Sequence, residues 1–166
     1  MSGPSSLLRY TAWADARLYD ALAVQPAGLL AAPRPGSRSL LHTLAHMQRI
    51  DLVWQAHLQG RPHGFDARQV EVPPPLDELR RGQQALDAWY IAHADALDAA
   101  ALQQVLAFEF IGGEPGTMRR EDILLHVVNH KTYHRGYVAE MLYAAGARPP
   151  VMDLPVFLRD AAGGAG

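Results

Sequence analysis

A chain of 166 residues with 49% hydrophobic and 19% charged residues has the make-up of a soluble globular protein and the length of a single domain with a sizeable core. Its formal net charge of −2 excludes bulk electrostatic attraction to nucleic acid or anionic lipid, and no like-charged run offers a binding tail. The absence of cysteine excludes disulfides, a thiolate nucleophile and sulfur-ligated zinc; any metal must be held by nitrogen and oxygen, and any thiol must come from outside.

The N-terminus lacks a basic start followed by an apolar run, and no window approaches the ~18 consecutive apolar residues of a membrane span. The cytoplasm is therefore the expected compartment, with neither nucleic acid nor membrane as partner. Residues 5–24 place apolar or small side chains at 7, 10, 14, 18 and 21, the period of an amphipathic helix that Ser5 or Ser6 can cap and Pro26 limits. Tyr10 and Trp13 read as core aromatics. Residues 26–38, rich in Pro, Gly and Arg, form a crossing loop. A second helix spans 39–58, capped by Ser37 or Ser39 and ended by Gly60 and Pro62. On its wheel His46 shares the apolar stripe with Ile50, Val53 and Trp54, and His42 lies at the edge. His57 faces the same side as His46 but three turns away, too far to share an ion.

Residues 60–75 have no helical period and read as an ordered crossing. Pro75 opens a third helix, 75–98, with Leu76, Leu79, Leu86, Tyr90, His93 and Leu97 inward. Gln83 and His93 interrupt that stripe and read as satisfied core polar groups or bundle-end residues. Residues 102–119, with Val105, Phe108, Phe110 and Ile111 around a Gly-Gly-Glu-Pro-Gly turn, suggest a short hairpin. Thr117 is the expected cap of a fourth helix, Arg119–Ala145, which Gly146 ends. Residues 151–160 read as a docked tail, and 161–166 as frayed. These elements make an all-α protein, a four-helix bundle with a short β-hairpin before its last long helix, in a single domain over 1–160. Bundles of this kind build metal sites from side chains on facing helices.

The fourth helix carries His126, His130 and His134 at four-residue steps. Residues four apart share a helix face. From His126 to His134 the axis advances roughly 12 Å, beyond the reach of two metal–nitrogen bonds of about 2 Å each. One adjacent pair at most can ligate. With His130 at zero on the wheel, Ile123 and Met141 fall near about 20°, Val127 near about 60° and Val138 near about 80°, while His134 falls near about 40° and His126 near about −40°. The apolar stripe thus selects His130 and His134. Joined by His46 from the second helix, they form a three-histidine set that leaves open positions on a divalent ion, as a reactive site requires. Neutral imidazole suits zinc, nickel, iron and copper alike. The bland alternative is a group of bundle histidines stacked on Trp54 or Tyr133. Asn129 precedes His130, and Lys131 and Thr132 follow it, so the Glu of the HExxH protease motif is absent.

Three stretches, YTAWADARLYDAL, SLLHTLAHMQRIDLVW and DILLHVVNHKTYHRGYVAEMLYAAGARPPVMDLPVFL, give the chain a resemblance to the DinB / YfiT-like family of metal-dependent four-helix-bundle proteins. The NHxTYHRG core and PP-x-x-D tail of the last stretch are its most specific part. The resemblance implies an up-down-down-up bundle, often a homodimer, with a divalent ion on a histidine triad that matches His46, His130 and His134. It also implies thiol-dependent S-transferase or isomerase chemistry among relatives, without fixing a substrate. His126 departs from the ligand role; it reads as an edge residue, or as one that orients a ligand or lines the pocket. Asn129, Tyr133 and Arg135 are candidates for supporting the ligands.

The leading expectation is a metal-dependent enzyme acting on a small molecule by activating a low-molecular-weight thiol (zinc, nickel or iron as the ion). Metal-dependent hydrolysis is the enzymatic alternative. A non-catalytic, stress-related metal-binding protein is the third reading, in which the ion only ties helices together. Apolar residues on more than one face of the first and last helices suggest a homodimer.

Overall fold

Proline and glycine set the first boundary: Gly3, at φ 96°, precedes a helix whose first residue is Pro4, where the missing N–H would be unpaired anyway. The computed structural model describes residues 3–33 and 38–163; the candidate cap Ser37 lies outside them. The first helix, α1, runs Pro4–Ala23. The expected crossing loop contains a short helix, α2, Ala27–Ala31, started by Pro26. Helix α3 covers Leu40–Leu58 and is capped by Ser39, whose Oγ accepts from the His42 amide at 3.3 Å. Helix α4 covers Leu76–Asp95, with Asp77 and Glu78 in its first turn facing the positive end of the helix dipole.

A five-residue helix, α5 (Ala99–Gln103), capped by Asp98, had no signal in the periodicity. Strand β1 (Val105–Glu109) then pairs antiparallel with β2 (Pro115–Arg119), Phe108 opposite Gly116, and Gly112 and Gly113 take positive φ in the turn. Helix α6 spans Arg120–Ala144. Thr117, the expected cap, instead lies in β2 opposite Ala107; Arg119 occupies the N-cap position without a side-chain cap and pairs with Asp122. Gly146, at φ 75°, ends α6 as expected. The tail after it forms α7, Leu154–Gly163, reaching past residue 160. Phe157 packs on Tyr10 and on the half-buried Trp13.

Side-chain pairs give the helix directions. Arg9 meets Asp95 and Arg80 meets Asp20, so α1 and α4 are antiparallel. Gln48 bonds the Leu79 carbonyl and Tyr90 bonds that of Asp51, so α3 and α4 are parallel. Asp15 meets Lys131, Leu8 shares a cluster with Val127 and Leu22 one with Val138, so α1 and α6 are parallel. The topology is up-down-down-up, with α1 and α3 each packed on α4 and α6.

Two apolar clusters fill the bundle, one around Leu18, Leu44, Leu79 and Met141, the other around Trp54, Tyr90, Ile123 and Val127. A layer of buried charge joins them. Lys131 Nζ lies 2.6 Å from Asp15, 2.9 Å from Asp51 and 2.9 Å from Asp87, and Arg135 lies 3.0 Å from Asp15. Each long helix thus supplies at least one member.

Candidate metal centre

Helices α3 and α6 run antiparallel, which brings His46 alongside His130 and His134. The Nε2 atoms of His46 and His130 are 3.3 Å apart. One ligand atom from each of the three rings lies within 4.8 Å of the others. Two nitrogens bound to one tetrahedral ion through bonds of 2.0–2.1 Å stand about 3.3 Å apart, so the His46–His130 spacing already suits a shared ion.

Ring electrostatics agree with that geometry. Burial, with the neighbouring imidazoles of His134, His46 and His126 adding to it, pushes His130 down to about 3. Burial and His46 push His134 down to about 4. Both are neutral at physiological pH, the form a metal needs. His46 Nδ1 lies 3.0 Å from the Arg68 carbonyl. A carbonyl only accepts, so Nδ1 carries the proton and Nε2 turns its lone pair toward His130. The Nδ1 atoms of His130 and His134 are buried without hydrogen-bond partners among the described residues.

The three rings open on a cavity of about 400 Å3. Trp54, Ile50 and Val53 of α3 wall it on one side, Phe110 and Ile111 of the hairpin on another, and Arg68 lies at its rim. A smaller cavity of about 250 Å3, lined by Arg38, Gln69 and Tyr137, touches His46 and His134 from the other side.

Among the other residues singled out in the sequence, His126 lines the chamber, its ring 4.9 Å from Trp54 and 6.0 Å from His130. Tyr133 is exposed with its ring 5.1 Å from His134. Asn129 is exposed. Arg135 does not support the ligands: it faces the opposite side of α6, bound to Asp15 and Thr132 and lying over Tyr10. His42 bonds Ser39 and the Glu71 carbonyl. Gln83 is a satisfied core amide, donating to Asp51 and Asp87. His93 stacks on Trp89. The sequence reading missed the Lys131 charge layer, although Lys131 falls near about 100° on the wheel that selected His130, beside Val138.

An antiparallel helix pair presenting three converging imidazoles at an open chamber defines a helical-bundle protein with a histidine cluster of metal-binding spacing. The DinB family model matches residues 1–164, and the chain belongs to the DinB family. Among solved structures, a DinB-like protein from Bacillus cereus ATCC 10987 superposes with a TM-score of 0.66 at 18% identity, over 86% of this chain and 91% of that one. YfiT from Bacillus subtilis, described as a probable metal-dependent hydrolase with an unusual four-helix bundle topology, superposes with a TM-score of 0.66 at 15% identity, over 89% and 91%. Both are similar in fold. Comparison with curated proteins gives no match. No helix among the described residues is long and apolar enough to cross a membrane.

Proposed function

We propose that this protein is a divalent-metal-dependent enzyme acting on a small molecule, with His46, His130 and His134 holding the ion. The observation that carries this reading is the 3.3 Å approach of the His46 and His130 Nε2 atoms beside His134, at the wall of a chamber large enough for a substrate. A bound divalent ion (zinc, nickel or iron) lowers the pKa of a thiol or water that it coordinates, making the nucleophilic form available at neutral pH.

Transfer of an external low-molecular-weight thiol to an electrophile is the chemistry the chamber favours. Water-derived nucleophiles at three-ligand sites commonly rely on a nearby carboxylate as general base, as in HExxH proteins. Among the described residues the one acid on the chamber wall is Glu109, beside His57 at the end away from the three imidazoles. A thiol, acidic enough to ionise once coordinated, has less need of such a base. Trp54, Phe110 and Ile111 give the chamber apolar walls, and the Arg68 carbonyl fixes the His46 tautomer. Hydrolysis is the second reading, favoured by the description of YfiT.

Elemental analysis of purified wild-type and His130→Ala protein tests the site: the wild type carries one ion per chain and the variant far less. Equal metal content in both overturns it. Transfer must then vanish without added thiol, whereas hydrolysis continues.

A further inference from the structure

Residues 67–71 lie along α3 as a strap held by side chains. Among the described residues, no backbone-to-backbone hydrogen bond involves residues 62–74. Instead the five successive carbonyls from Ala67 to Glu71 each accept from a side chain of α3 or from Arg38, just before that helix. A segment with no ladder of its own takes its position from whatever binds its carbonyls.

Arg49 holds the part of the strap nearest the three imidazoles. It lies three residues beyond His46, so both side chains leave the same face of α3. Its Nη1 carries two N–H donors and reaches the Ala67 carbonyl at 3.0 Å and the Gln69 carbonyl at 2.6 Å. Those two carbonyls flank that of Arg68, which accepts from His46 Nδ1 at 3.0 Å. The guanidinium also lies over the Phe65 ring, 5.2 Å from its centroid. Gln69 Nε2 stands 3.5 Å from His46 Nδ1, too long to compete with the carbonyl. The contact between His46 and the Arg68 carbonyl is exposed, so water can replace either partner. Its geometry therefore depends on how firmly the backbone on each side of Arg68 is held.

We propose that Arg49 is a positioning residue for the candidate metal centre. By clamping the carbonyls on either side of Arg68, it holds the Arg68 carbonyl on His46 Nδ1–H and keeps the Nε2 lone pair turned toward His130. The same clamp holds Arg68 in the lining of the chamber and Gln69 in that of the smaller cavity. What this is worth to a bound ion rests on the metal reading above; the effect of Arg49 on the His46 tautomer does not.

The test reads tautomer and affinity separately. Heteronuclear NMR of metal-free protein at about pH 8, where imidazoles are neutral, shows which nitrogen of His46 carries the proton; the signals are assigned by their absence from His46→Ala. Chelator competition measures zinc affinity. Wild type carries the His46 proton on Nδ1. Arg49→Met, which keeps the stem and removes the donors, shows a mixture of tautomers and binds zinc about five- to tenfold more weakly, less than the 10–100-fold lost with a partner that touches a ligand directly. Arg49→Lys, which restores a donor, recovers part of both changes. Circular dichroism and urea unfolding accompany each variant. A mere loop staple lowers the urea midpoint and leaves tautomer and affinity unchanged, and that result overturns the proposal. A wild-type His46 protonated on Nε2, or no recovery in Arg49→Lys, overturns it as well. Should Arg49→Met not fold, Arg49→Gln, too short to span both carbonyls, takes its place; if that is unfolded too, the proposal falls. Wild type that binds no zinc while Arg49→Met still shifts the tautomer overturns the metal reading and upholds the role of Arg49 toward His46.

Discussion

His46 and His130 face each other through Nε2 atoms 3.3 Å apart, although 84 residues separate them in the chain. Two neutral nitrogens at that distance repel when both present lone pairs, and a shared cation turns the repulsion into binding. Removing even a supporting partner of a metal ligand typically costs 10–100-fold in affinity. His46→Ala and His130→Ala are accordingly each expected to weaken zinc binding by more than about 100-fold. The double variant should lose much less than the sum, since either change alone dismantles the same site. Competition against a chromogenic chelator measures all four constants, and wild-type affinity in either single variant would sink the shared-ion reading.

Lys131, next to His130 in sequence, points into a different environment. Its ammonium touches Asp15, Asp51 and Asp87 and is only 1% exposed. Breaking a buried ion pair by removing one partner typically costs 3–5 kcal/mol, because the remaining charge is left uncompensated. Lys131→Met, which keeps the length and loses the charge, is expected to destabilise the fold by at least about 3 kcal/mol. Burial already raises Asp51 to about 6 against the pull of Lys131, and burial also raises Asp87. Without the ammonium both carboxyls move further up, and at these two positions the folded state binds more protons than the unfolded chain. The depressed histidines are common to both proteins, so the urea midpoint of chelator-treated Lys131→Met should fall less between pH 7 and pH 5 than that of chelator-treated wild type. An equal or steeper fall would show that the carboxylates are balanced by some other group.

In the wild-type, metal-free protein the histidines act in the opposite sense. His130 and His134 titrate at about 3 and about 4 in the fold, against about 6.5 in an unfolded chain. Between those limits the unfolded state holds more protons, so stability rises with pH and is lost as pH falls below about 6.5. Burial depresses His57, His93 and His126 in the same direction. Asp51, raised to about 6, and Asp87, raised as well, oppose them, two groups against five. The urea midpoint of chelator-treated protein is expected to drop from pH 7 to pH 5, and to drop less in His130→Phe. An identical pH slope in the two proteins would refute the assignment.

The bundle and the histidine cluster were legible because both obey the helical period. His46, His130 and His134 each fall on an apolar stripe, and a stripe reports which side of a helix faces its neighbours. The same rule is silent at Lys131, Asp15, Asp51 and Asp87. A charge is ordinarily assigned to solvent, and only the meeting of four helices shows that these charges satisfy one another. The chamber's outer wall was hidden for another reason. Arg68, Phe110 and Ile111 reach it from segments without helical period, placed by tertiary contacts that no local pattern announces. Helix α5 is too short for a period to show. Thr117 has the chemistry of a cap, but the strand that holds it pairs it with Ala107 before α6 begins.

The hairpin supplies a last prediction, because it carries part of the chamber wall. Gly116 faces Phe108, and a Cβ added there would lie 2.6 Å from the Phe108 ring and 3.2 Å from that of Phe110. Phe108 cannot easily give way: its ring packs 4.9 Å from Trp54 and 5.5 Å from His57. Overpacking of this kind costs typically 1–3 kcal/mol. Gly116→Ala is expected to lower stability by about that amount and to displace Phe108, Phe110 or Trp54, narrowing the chamber at its His57 end. The three imidazoles are carried by α3 and α6, and the hairpin supplies none of the ligand atoms. Zinc affinity should therefore stay within about twofold of wild type while the urea midpoint falls. Parallel zinc titration and urea unfolding decide it: a loss of zinc affinity as large as the loss of stability would mean that the hairpin supports the metal centre itself.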